Sequence, residues 1–148
     1  MNYLLDTNIL LNMVRNTSLY QEVNRNHDLF SPSNTSITSF VCIAEIRSIA
    51  TRNGWGTGKM LLLEKLEQKV QPIWINNIAF IERYVEIDTF SLGKHPSKAL
   101  SSSAKTMGKN DLWIAATASL LDAALITTDA DFDHLNGIFL DVIKISVT

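Results

Sequence analysis

Cysteine is almost absent from this chain. The single Cys42 cannot form an internal disulfide and cannot build a thiolate zinc site alone. It stands in an apolar stretch, where a cysteine serves as a small core residue rather than a reactive thiol. The start, Met1-Asn2-Tyr3-Leu4-Leu5-Asp6, has no basic segment and meets an acid at once, which argues against a secretory leader. No apolar run approaches the roughly 20 residues that a membrane helix needs. A cytoplasmic protein with no membrane association is the expectation. The three histidines, His27, His95 and His134, are scattered without paired metal-ligand spacing. Gly54, Gly56 and Gly58 lack the strand before and helix after that a phosphate loop requires. Excess positive charge is missing too: the net charge is -2, so a polyanion would need a local basic patch or bound cations.

What is present is an ordinary globular balance, 46% hydrophobic and 19% charged over 148 residues, the size of one domain spanning 1–148. No repeat, linker or composition shift marks a second domain. Strand and helix patterns alternate, which predicts an α/β fold around a parallel sheet. Tyr3-Leu4-Leu5 reads as a strand that stops at Asp6, and Thr7 or Asn8 then caps a helix through Val14. Ser18 caps a helix to Asn26. Ser36-Ile37-Thr38 is a short strand, and the helix from Ser39 repeats Val41, Cys42, Glu45, Ile46 and Ile49 at helical spacing. A helix with Met60, Leu61, Leu63, Leu66 and Val70 leads to a strand at Pro72-Ile73-Trp74-Ile75. Asn76 or Asn77 caps the next helix, to about Phe90. Ser91 to Lys109 is a long loop with a short helical piece around Ser97 to Ala104. Asp111 opens an Ala-rich helix, with Asn110 as a candidate cap. Ala124 to Thr127 is the fourth strand, followed by a short helix over Asp131 to Leu135 and a strand over Val142 to Val147. Trp55, Trp74 and Trp113 are expected to anchor packing.

The acids carry the functional reading. Asp6 and Asp129 directly follow buried strands, where parallel sheets border their ligand crevice. Two carboxylates there repel each other and stay charged only with a cation between them. Each alone is equally explained as a helix cap or turn residue. Glu45 sits on or beside the apolar stripe of its helix and needs a partner, a cation or an arginine such as Arg47 or Arg52. Asp111 stands in a first helical turn, where the helix dipole favours a negative charge. Four acids without histidine or cysteine suit Mg²⁺ or Mn²⁺, which prefer oxygen ligands. Lys94, Lys98, Lys105 and Lys109 precede Asp111 with no acid between them, a candidate contact to a phosphate backbone.

In four segments the chain resembles the PIN-domain nucleases, especially the VapC-type toxins of bacterial toxin–antitoxin pairs. They are Leu4-Leu5-Asp6-Thr7-Asn8-Ile9-Leu10, Ser36-Ile37-Thr38-Ser39 with Ala44-Glu45-Ile46-Arg47, Asn110-Asp111-Leu112-Trp113-Ile114-Ala115-Ala116, and Leu125-Ile126-Thr127-Thr128-Asp129-Ala130-Asp131. The resemblance implies a three-layer α/β/α fold with a central parallel sheet of about four to five strands. It also implies an endoribonuclease dependent on Mg²⁺ or Mn²⁺, a small antitoxin partner and a homodimer. Asp6, Glu45, Asp111 and Asp129 take the places of the family's metal-binding, catalytic acids, with Asp131 in reserve. Lys105 and Lys109 are expected to bind substrate, and Asn8 and Thr127 to support the acids. The chain departs from the common toxin pattern after Glu45, where it reads Ile46-Arg47-Ser48-Ile49, and matches only loosely from Asn76 to Lys109. Two alternatives share these residues: a Mg²⁺-dependent phosphotransfer or phosphatase domain using a strand-end aspartate, and a non-catalytic module that binds RNA or protein.

Overall fold

The computed structural model describes residues 1–147; Thr148, the last residue of the expected domain, lies outside the described residues. Five strands form one wholly parallel sheet in the order β3-β2-β1-β4-β5. They are β1 (Asn2–Leu5), β2 (Thr35–Ser39), β3 (Gln71–Ile73), β4 (Ala124–Thr127) and β5 (Val142–Lys144). Among the described residues, six α-helices flank the sheet: α1 (Thr7–Val14), α2 (Ser18–His27), α3 (Phe40–Arg52), α4 (Thr57–Lys69), α5 (Ile78–Ser91) and α6 (Lys109–Leu120). This is the parallel α/β sheet that the alternating pattern predicts, in the three-layer α/β/α form that the resemblance implies.

Burial on both faces explains the strand sequences. Tyr3, Leu4 and Leu5 of β1 and all four residues of β4 are buried, so neither strand alternates between apolar and polar. Leu4, Leu5, Ile9, Leu10, Ile46 and Leu125 are wholly buried in the centre of the core. The first two crossovers carry the chain outward from β1 to β2 and β3; it then returns through α5 and α6 to β4 on the other side of β1. The strand order therefore reverses between β1 and β4, and the crevice of such a sheet opens at the carboxyl ends of those strands.

Several boundaries differ from the sequence expectation. The cap of α1 is Asp6 itself, whose side chain accepts from Thr7 N, rather than Thr7 or Asn8. Thr17, not Ser18, caps α2 through its hydroxyl. β3 ends at Ile73, so Trp74 lies beyond the strand and is 62% exposed instead of anchoring the core. Pro72 explains the short strand, since an edge position tolerates a residue with no N–H to donate. Helix α6 starts at Lys109 behind Gly108, leaving Asn110 free of capping duty. No helical piece forms over 97–104, and the last strand stops at Lys144. The short helix near the end is a 3₁₀ turn over Ala130–Leu135. Trp113 does pack, tilted against Tyr84 with ring centroids 4.4 Å apart.

Candidate metal centre

Asp6 leaves β1 at the strand-order reversal, its own N–H still donating to Ile126 O of β4 at 3.1 Å. Its carboxylate is only 5% exposed and turns back over the start of α1. Thr7 N donates to Oδ1 at 2.7 Å, and Thr127 Oγ1 donates to Oδ2 at 2.6 Å. The buried Cys42 thiol points at Oδ1 from 3.9 Å. Burial pushes the Asp6 carboxyl above its ordinary range, the hydrogen bonds from Thr127 and Thr7 oppose that, and the charges of Glu45 and Asp129 add to it. Burial also pushes the Cys42 thiol up to about 12, so it is a proton donor and not a nucleophile.

Glu45 lies beside the buried stripe of α3, half-buried. Its Oε2 accepts from Thr7 Oγ1 at 2.8 Å, which ties it to the residue next to Asp6. Its Oε1 accepts from Asn110 Nδ2 at 2.9 Å, which ties it to α6. Neither arginine suggested by the sequence serves it, since Arg47 forms a forked pair with Glu67. Thr7 and Asn110 are contacts of Glu45 that sequence reasoning did not identify. Their adjacency to Asp6 and Asp111 was the available signal.

Asp129 follows β4 and caps the 3₁₀ turn, its Oδ1 accepting from Asp131 N at 2.9 Å. Thr127 links the two strand-end acids: its hydroxyl donates to Asp6 and accepts from Asp129 N at 3.0 Å. Asn8 spans the same gap, with Oδ1 accepting from Thr128 N at 3.2 Å and Nδ2 reaching Asp6 Oδ2 at 3.5 Å.

Asp111, in the first turn of α6, completes a tight group. One carboxylate oxygen from each of Asp111, Asp129 and Asp131 lies within 4.8 Å of the others. Burial, then the charges of Asp6, Asp129, Asp131 and Glu45, push the Asp111 carboxyl up to about 6. Asp6 and Glu45 fall outside this closest group yet act on it through their charge. Asp131 therefore stands with Asp129 in the group rather than replacing it.

The lysines divide. Lys109 opens α6 and is exposed. Lys105 instead sets its ammonium on Asp131 Oδ1 at 2.8 Å, and that hydrogen bond holds the Asp131 carboxyl below its usual range.

A donor set of carboxylates alone, crowded against its own repulsion, fits a hard divalent cation and fits no soft metal. The model of the PIN domain family matches residues 3–138. The chain belongs to the PIN-domain family. No curated protein matches its sequence. Solved structures match its fold. VapBC-1 of nontypeable Haemophilus influenzae is 25% identical with a TM-score of 0.70, covering 97% of this chain and 98% of that one. VapBC2 of Rickettsia felis, bound to a promoter DNA fragment, is 19% identical with a TM-score of 0.73 over 99% of this chain and 100% of its own. VapBC-5 of Mycobacterium tuberculosis is 22% identical with a TM-score of 0.61, covering 99% and 98%. The two below 25% attest the fold. Among the described residues, no helix of this PIN domain is long and apolar enough to cross a membrane.

Proposed function

We propose that this PIN domain is an endoribonuclease dependent on Mg²⁺ or Mn²⁺, and the toxin of a toxin–antitoxin pair. The observation that carries the reading is the group of Asp111, Asp129 and Asp131 beside the buried Asp6 and Glu45, at the crevice of the sheet. Asp6, Glu45, Asp111 and Asp129 are assigned as the catalytic acids. Asp111 and Asp129 would hold the cation directly with Asp131 available to it, while Asp6 and Glu45 complete the negative field. When bound, the cation supplies charge to offset that building on a scissile phosphate, and lowers the pKa of an attacking water.

The chain's own residues prepare the site. Thr127 and Thr7 N hold Asp6 in one orientation, and Thr7 Oγ1 with Asn110 fixes Glu45. Thr127 and Asn8 keep the ends of β1 and β4 in register, so the acids are positioned before any ligand arrives. Lys109, exposed next to Asn110 and Asp111, is assigned to the RNA backbone. The aspartyl-phosphate alternative is disfavoured because a nucleophilic Asp6 would need to reach an incoming phosphoryl group. Asp6 is only 5% exposed and is held in place by Thr7 N and Thr127 Oγ1.

The Haemophilus influenzae VapBC-1 structure, 25% identical and similar over nearly the full chain, supports an antitoxin partner. An exposed apolar stripe on α5, Ile78, Ile81 and Val85, supports a homodimer, since a patch of this kind favours a protein contact. RNA cleavage assayed with Mg²⁺ or Mn²⁺, with chelator and with Asp6→Asn tests the activity. Metal-dependent cleavage by wild type and its loss in the variant are expected. Equal cleavage by both would remove these acids from the chemistry. Growth arrest on expression, relieved by Asp6→Asn, tests the toxin role.

A further inference from the structure

Resting on the assignment of the acids as a cation site, we infer that Lys105 is the site's own counter-cation. Its ammonium neutralises Asp131 while no divalent ion is bound, and it competes with the ion for that carboxylate.

The placement of Lys105 is enforced from both sides. Its backbone N–H donates to Ser91 O at 2.8 Å, which fastens the loop to the end of α5. Ser91, wholly buried, also hydrogen-bonds through Oγ to His134 Nε2 at 2.7 Å, so the same anchor grips the 3₁₀ turn that carries Asp131. Two residues on, Met107 is buried with its sulfur 3.2 Å from Ser91 Oγ. The loop over 92–108 is long, yet at Lys105 it is tied to the turn that bears the acid. The ammonium then lies 2.8 Å from Asp131, on a side chain that is 35% exposed.

The electrostatics give the pair its consequence. Asp131 Oδ1 is the acceptor of Lys105, and the Asp131 carboxylate is also one of three within 4.8 Å of one another. Among the described residues, no other ion pair reaches this group: Arg47 serves Glu67, Arg83 serves Glu86, and Lys144 serves Asp133. A divalent ion at usual coordination lengths from these oxygens would lie within a few ångströms of the ammonium, too close for salt to screen the two like charges. Each disfavours the other. Entry of the ion loosens the Lys105 contact with Asp131 and frees the ammonium for a phosphate.

A plain structural clamp predicts the opposite sign from a competing cation. If Lys105 only oriented Asp131 for the metal, its removal would weaken metal binding. If it competes, removal tightens binding. Titration of the chelator-stripped protein with Mn²⁺, read by calorimetry, separates these. Lys105→Met and Lys105→Gln are expected to bind Mn²⁺ about tenfold more tightly than wild type, and Lys105→Arg to match wild type. In chelator the two neutral variants are expected to melt below wild type, and saturating Mn²⁺ should narrow that difference. Equal or weaker Mn²⁺ binding by both neutral variants, with wild type binding normally, overturns the inference and leaves the nuclease reading standing. Failure of wild type itself to bind Mn²⁺ overturns both.

Discussion

Replacing Asp111 by Asn should make the metal-free protein more stable while abolishing its proposed activity. The carboxyl is pushed from 3.8 up to about 6 by burial and by four acidic neighbours. Its ionised form is thus disfavoured by the fold. The stability present below pH 3.8, where the group is protonated folded or unfolded, is lost as pH rises through about 6, and the whole penalty stands at pH 7. At 1.36 kcal/mol per pH unit the difference corresponds to roughly 3 kcal/mol. The side chain is only partly buried, and solvent screening reduces this to about 1–2 kcal/mol. For a chain of this size that is a rise in Tm of roughly 2–8 °C. The assay is thermal unfolding of wild type and Asp111→Asn in chelator at pH 4, 5, 6 and 7. The gap should be near zero at pH 4 and fully open by pH 7. Saturating Mn²⁺ should then raise the wild type far more than the variant, because the ion offsets the repulsion that the variant no longer has. A variant less stable than wild type at pH 7 in chelator, or a gap that does not change with pH, would refute the idea that mutual repulsion strains this site.

Three further outcomes follow from the same geometry. Thr127→Val removes a hydroxyl that serves a buried carboxylate at 2.6 Å, and should cost about 1.5–3 kcal/mol in urea unfolding at pH 7; an unchanged midpoint would remove Thr127 from the support of Asp6. Cys42, wholly buried with its thiol pushed up to about 12, should resist iodoacetamide at pH 8 in the native state and react after unfolding, so rapid native labelling would contradict its burial. His134 is held below 6.5 by burial and then by the Lys105 charge, with Asp131 and Asp133 opposing. Its contribution to stability is therefore present above pH 6.5 and lost as pH falls through the lower folded value. A His134 titration midpoint at or above 6.5 by NMR in chelator would contradict this.

The sequence by itself determined the frame. Near-continuous apolar strands separated by helical patterns admit little besides a parallel sheet covered on both faces, and β1 and β4 end at Leu5 and Thr127, where the pattern puts them. It also singled out the acids, because a carboxylate after a buried strand or beside an apolar helix stripe is costly without a partner. Tertiary structure alone decided who those partners are. Glu45 turned to Thr7 and Asn110 rather than to Arg47 or Arg52. No spacing rule reaches across 38 or 65 residues of chain to make such contacts visible. The same holds for Lys105, which in sequence is one lysine among four in a polar loop. Only the Ser91 anchor sets its charge on Asp131. Trp74 fell the other way, since a strand that stops two residues before the end of its apolar run turned an expected core residue out to solvent. Local pattern fixes which residues must be buried or satisfied; the register of the sheet and the docking of loops choose what satisfies them.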